Sequence, residues 1–117
     1  MLKVYCYSKC STCKKALKWL DENKIKHEVV DIKANHPDEE MLRKYYAMSG
    51  LTLKRFFNTS GMKYKELELA GRLPVMQEEE QFRLLASDGM LVKRPILAGE
   101  GFVLTGFREA EWEKALG

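Results

Sequence analysis

Two cysteines three positions apart, Cys10 and Cys13, carry most of the chemistry this chain can offer. They stand in Ser8-Lys9-Cys10-Ser11-Thr12-Cys13, a run of small and polar residues between an apolar stretch and a helical pattern. On the first turn of a helix, thiols at this spacing share one face and can close into a disulfide with little backbone movement. A helix N-terminus also presents unpaired N–H groups and partial positive charge, which stabilise a thiolate. Lys9, Lys14 and Lys15 add positive potential. Cys10, at the loop end, is expected to act as the nucleophilic thiolate, and Cys13, inside the helix, as the buried resolving thiol of a redox-active disulfide. A zinc site would need further ligands, and the chain adds only Cys6, His27 and His36, with no second Cys-x-x-Cys, so no metal is expected. Two structural thiols in a core are the plainer alternative, which a strand–Cys-x-x-Cys–helix order weakens. Cys6 alternates with Leu2 and Val4 and reads as a core thiol.

The flanking pattern says what must position the pair. Residues 2–7 read as a short buried strand. From Cys13 to about Glu22, Ala16, Leu17 and Leu20 recur at helical spacing while Lys14, Lys15, Lys18 and Asp21 face water, with Asn23 as a stop. His27 to Ile32 reads as a second strand, which makes a β-α-β unit with parallel pairing. Pro37 with Asp38-Glu39-Glu40 opens a helix carrying Met41, Leu42, Tyr45 and Met48, and Gly50 ends it. Short helices are expected over Leu51–Phe57 and Tyr64–Leu69, and a firmer one over Glu78–Ala86, ahead of Ser87-Asp88-Gly89. Leu91–Leu97 reads as a loop entering a strand and Phe102–Leu104 as a second strand after Ala98-Gly99-Glu100-Gly101; joined through these glycines they form a hairpin, and Gly106-Phe107-Arg108 turns into a last helix with Trp112 in the core. The order β-α-β, helical insert (about residues 37–90), β-β-α is that of an α/β thioredoxin-like fold: one domain, 1–117, with a mixed four-stranded sheet and an inserted helical subdomain.

In such a sheet the strand entering the hairpin begins with a cis proline packed on the dithiol, which places Pro95 beside the cysteines. Arg94 is then either a forked cation for a thiolate or an anionic substrate, or an arginine of a basic surface loop. The net charge of +3 is slight and the lysines alternate with acids, so no direct nucleic-acid binding is expected. No apolar run approaches the roughly 18 residues of a membrane span, and the N-terminus lacks the apolar core of a secretory signal, which points to the cytoplasm. A monomer is expected.

The chain resembles the arsenate reductase ArsC / Spx family. The resemblance rests on Cys10-Ser11-Thr12-Cys13-Lys14-Lys15-Ala16, Leu53-Lys54-Arg55-Phe56-Phe57-Asn58, Lys93-Arg94-Pro95-Ile96 and Gly106-Phe107-Arg108-Glu109, and it spans nearly the whole chain. It implies thiol chemistry at Cys10, no bound cofactor, and glutathione, thioredoxin or glutaredoxin as electron donor. Glutathione-coupled arsenate reductases hold their oxyanion with three arginines. Cys10 and Arg94 match that pattern, Asn58 stands where the insert arginine is expected, and Arg108 fits with a slip of one place. Losing cations from a site for a doubly charged oxyanion removes much of its electrostatic stabilisation. Cys13 is typical of the Spx-like branch, in which the pair is a redox switch on a transcription regulator that binds the RNA polymerase α-subunit, here through the turn at Ser49-Gly50. The chain ends soon after its last helix, without the charged extension of Spx, and small Spx-like, arsenate reductase-related proteins are the expected nearest kin.

Overall fold

The computed structural model describes residues 2–116, which leaves Met1 and Gly117 outside the described residues. Strand β1 (Lys3–Cys6) pairs in parallel with β2 (Glu28–Asp31) and antiparallel with β3 (Ile96–Gly99), and β3 pairs antiparallel with β4 (Phe102–Thr105). The sheet order is β2-β1-β3-β4, the mixed four-stranded arrangement of a thioredoxin-like fold.

Strand parity divides the core in two, because successive side chains point to opposite faces. Val4 and Cys6 of β1 and Leu97 of β3 face helices α1 (Ser11–Glu22) and α6 (Glu109–Leu116), where they pack with Cys13, Ala16, Leu20 and Trp112. Trp112 joins these two helices: its ring lies 6.1 Å from Trp19 and 4.9 Å from Phe107, and its indole N–H donates to the Gly106 carbonyl at 3.1 Å. Tyr5, Ile96 and Ala98 point the other way, into the core under α2 (Glu39–Ser49) and α5 (Glu78–Ser87). There the Tyr5 and Tyr45 hydroxyls share a buried hydrogen bond of 2.8 Å.

The helix ends follow local rules, with instructive shifts. Helix α1 begins at Ser11 rather than Cys13, since the Cys10 carbonyl already accepts from Lys14 N–H and makes Cys10 the cap. Asp38 caps α2 by accepting from Met41 N–H, so Pro37 lies outside the helix, and Gly50 closes it in the left-handed region at φ +68°. The helix expected over Leu51–Phe57 is a single 3₁₀ turn, Leu53–Phe56, because Phe57 must leave it extended to bridge to Val92. The helix expected over Tyr64–Leu69 is split into α3 (Met62–Glu66) and α4 (Leu69–Arg72) by Glu68, which adopts φ +53°. β2 is an edge strand, and Val29 on it is 52% exposed.

Two contacts tie the helical segments between β2 and β3 to the sheet. The Phe57–Val92 bridge is flanked by Lys93 N–H to Phe56 O and Asn58 N–H to Leu91 O, each 2.8 Å. The buried Thr105 hydroxyl donates to the Arg55 carbonyl at 2.7 Å. Thr105→Val keeps the side-chain shape and strands that carbonyl, so a urea titration should read a loss of about 1–3 kcal/mol. Thr105→Ser should lose clearly less; equal losses would mean that packing, not the hydrogen bond, holds the contact.

Candidate functional site

The first turn of α1 is built to present sulfur to backbone donors. Cys10 is extended at φ −95°, ψ 118°, its N–H donates to Tyr7 O at 3.0 Å, and no side chain caps the turn. Helices α2, α5 and α6 each carry acids in their first turn, whereas α1 carries none, so no carboxylate of that turn competes for its free N–H groups. Cys10 is half-buried and Cys13, one turn in, is 1% exposed; all three cysteines are free thiols.

Donors converge on the Cys13 sulfur. Hydrogen bonding from the Cys6 thiol is the largest influence, joined by the Tyr7 backbone N–H, the Cys10 thiol and the Arg94 charge. Against the opposing cost of burial, these draw the Cys13 thiol down to about 6. Cys6 moves the opposite way: its bond to Cys13, then burial, then the nearby Cys13 and Cys10 charges push its thiol far up, so it keeps its proton. Cys13 is thus drawn toward its charged form while Cys6 is held protonated. A depressed acid stabilises the fold fully above its unfolded value and loses that contribution as pH falls, here through about 6.

The loop before β3 supplies the cation. The Arg94–Pro95 peptide is cis, Pro95 is buried, and Pro95 O accepts from Gly106 N–H at 2.8 Å. The Arg94 guanidinium lies 5.2 Å from the centroid of the Tyr7 ring, and its Nη1 is 3.8 Å from Met90 Sδ. Stacked on Tyr7, Arg94 carries its charge within reach of the Cys13 thiol, as the last of the influences that lower it.

The other expected site residues lie elsewhere. Arg108 lines a separate cleft of about 340 Å³ with Lys54, Arg55, Lys93 and Thr105, and that cleft touches α1 through Thr12. Arg94 and Asn58 are not in its wall. Asn58 closes a turn instead: its carbonyl accepts from Gly61 N–H, and a Cβ at Gly61 would come within 2.7 Å of its Nδ2. Arg55 donates to Glu111 at 3.2 Å, and Arg108 lies 3.9 Å from the same carboxylate. Lys54 and Lys93 have no carboxylate within 4.0 Å among the described residues. Arg55 went unnoticed as a site residue because its partner Glu111 is 56 positions away; its only signal was the Lys54-Arg55 pair within the insert motif.

Comparison with known proteins agrees with this architecture. The ArsC family model matches residues 5–115. The uncharacterized protein YusI of Bacillus subtilis is 50% identical over 97% of this chain and 96% of its own. A solved structure of an ArsC family related protein from Bacteroides fragilis superposes with a TM-score of 0.94 at 51% identity, covering 97% of this chain and 95% of that one. The global transcriptional regulator Spx 2 of Bacillus anthracis is 23% identical over 99% of this chain and 87% of its own length. With a Cys-x-x-Cys at the start of α1, a cis proline before β3 and a family match over nearly its whole length, this chain belongs to the ArsC family.

Proposed function

We propose that the protein is a thiol–disulfide redox protein of the arsenate reductase-like, Spx-like group, with Cys10 as nucleophile and Cys13 as resolving thiol. The observation that carries this reading is the division of labour along one helical turn. The half-buried Cys10 can meet a substrate sulfur, while the Cys13 sulfur is enclosed and held charged by its donors. The Cys10 thiolate attacks one sulfur of a substrate disulfide, forms a Cys10–substrate disulfide and releases the other half as a thiolate. The Cys13 thiolate then attacks the Cys10 sulfur, closes the Cys10–Cys13 disulfide and releases the second thiolate. Two electrons from a thiol donor such as glutathione, thioredoxin or glutaredoxin reopen it. Arg94 supports the Cys13 thiolate from the Tyr7 face, and the cis Pro95 follows it into β3. The cationic cleft reached through Thr12 suits a donor or substrate that carries carboxylates.

Two other readings keep a specific motive. Likeness to Spx 2, together with the exposed Gly50 turn, favours a redox-switched regulator that binds the RNA polymerase α-subunit. A pull-down of that subunit without binding in either redox state removes this reading. Glutathione-coupled arsenate reduction is favoured by the cationic cleft, and opposed by Asn58 in place of an arginine and by Glu111 drawing on Arg55 and Arg108.

Turnover of a small disulfide and of arsenate, measured side by side, tests the assignment. Cys10→Ser should lower disulfide reduction by at least about a thousandfold. Cys13→Ser should stall after the first attack and leave a Cys10 adduct visible by mass spectrometry, and Arg94→Ala should slow turnover roughly tenfold. Arsenate reduced readily while every disulfide is left intact would instead mark an arsenate reductase.

The pH dependence has a defined sign. Because Cys13 acts as a thiolate and its donors draw it down to about 6, single-turnover closure of a Cys10 mixed disulfide should be flat above neutrality. Below about pH 6 it should fall roughly tenfold per unit. A rate still rising between pH 7 and 9 would show that Cys13 is protonated at neutrality.

A further inference from the structure

The third cysteine remains unexplained by this reading. Cys6 is not in the Cys-x-x-Cys motif, and its alternation with Leu2 and Val4 marks it only as core; it is indeed buried, at 5% exposure. Its position in the sheet gives it a second property. As the last residue of β1 it faces α1, in the same packed cluster as Cys13, with Cys10 against the edge of that cluster. Cys6 and Cys13 also line one cavity of about 340 Å³, together with Tyr7, Ser8, Lys14, Leu17, Val29 and Asp31. This cavity opens beside β2, whereas the cationic cleft reaches α1 through Thr12 and includes neither thiol. Three sulfurs thus gather at the start of α1, and the deeper pair has a wall of its own.

We propose that Cys6 is the positioning residue of the dithiol: fixed in β1 beneath the first turn of α1, its S–H donates to the Cys13 sulfur and sets how readily Cys13 closes onto Cys10. The inference rests on the redox reading of Cys10 and Cys13 and deepens it. A buried sulfur anion needs donors, and a neighbouring element can add one to those that the first turn of the helix supplies. Cys6 meets that need without adding charge. The groups facing the Cys6–Cys13 pair are Cys10 and Lys14 on α1, Tyr7 after β1, Asp31 at the end of β2, and Arg94 before β3. Among the described residues packed in that cluster, β3 adds Leu97 and α6 adds Trp112 and Leu116, all uncharged. Asp31 is the one acid among these, and its Oδ1 accepts from the Lys33 N–H at 3.0 Å. Cys6 thus packs in one cluster with Cys13 and brings an uncharged proton donor to it from β1. The chemical step is unchanged: Cys13 still attacks the Cys10 sulfur and expels the bound thiolate, while Cys6 keeps its proton and forms no covalent bond.

The test follows each cysteine separately by 13Cβ chemical shift in the full-length reduced protein across pH 4–10, for wild type, Cys6→Ala and Cys6→Ser. Closure of a Cys10 mixed disulfide is timed on the same samples. Cys6→Ala should raise the Cys13 midpoint by about one unit and slow closure near pH 6 about fivefold, that being the lost share of thiolate. Cys6→Ser, which keeps a donor, should recover most of both. Cys6→Val, which keeps the packing and lacks the proton, carries the same expectation as Cys6→Ala should the smaller side chain unfold the protein. A midpoint unmoved by Ala or Val, or moved as much by Ser as by Ala, overturns the assignment even where disulfide turnover is normal. A midpoint that moves as expected in a protein that turns over no disulfide upholds the Cys6–Cys13 contact and overturns the redox reading instead.

Discussion

A thiol drawn toward its charged form on a residue with 1% exposure is a demand on everything around it. In water a thiolate is solvated from all sides; inside a helix turn the protein must supply the same donors from fixed positions or the charge returns to a proton. Here those donors come from separated stretches of chain: Cys6 in β1, the Tyr7 N–H just beyond it, Cys10 at the cap of α1 and Arg94 before β3. Each is placed by a different feature. Strand parity turns Cys6 toward α1, the Cys10–Tyr7 turn brings the chain back over its own strand, and antiparallel pairing of β1 with β3 carries Arg94 alongside.

The same constraint explains why the helical segments between β2 and β3 are pinned so firmly to the sheet. The Arg94–Pro95 loop lies between the Phe57–Val92 bridge and β3, so its position depends on how that bridge seats the preceding chain. Thr105 and Glu111 hold Arg55 by its carbonyl and its guanidinium, which locks the 3₁₀ turn against β4 and α6. The helical segments thereby shape the cationic cleft and, through Val92 and Lys93, seat the loop that carries Arg94.

Two groups of cations flank the start of α1. Arg94 sits on Tyr7 with its charge within reach of the Cys13 thiol. Arg55, Arg108, Lys54 and Lys93 line a cleft that meets α1 at Thr12, with one carboxylate already drawing on its two arginines. A compact oxyanion would need its cations gathered on one side of the nucleophile, whereas an extended substrate with a disulfide and distant carboxylates could use both groups. The fold accommodates either kind of chemistry, and the arrangement of side chains separates them.

Much of this was legible along the chain. The Cys-x-x-Cys between a strand and a helix, the alternating β1, the glycine-joined hairpin and the capped α2 all follow from short-range spacing, which the backbone periods of two and 3.6 translate directly into faces. Pro95 and Arg94 were legible once the sheet order was. The broken helix at Glu68 was not, because a left-handed φ at a non-glycine residue is imposed by surrounding packing rather than by local preference. The separation of Arg94 from Arg108, the turn-closing use of Asn58 and the Arg55–Glu111 pair were hidden for a related reason. Each depends on which surfaces meet when distant segments pack, and residue spacing carries no record of that. Cys6 shows the boundary most clearly. Alternation was enough to bury it, but its contact with Cys13 exists only because α1 lies across that face of β1, which brings a strand thiol and a helix thiol seven positions apart into one cluster.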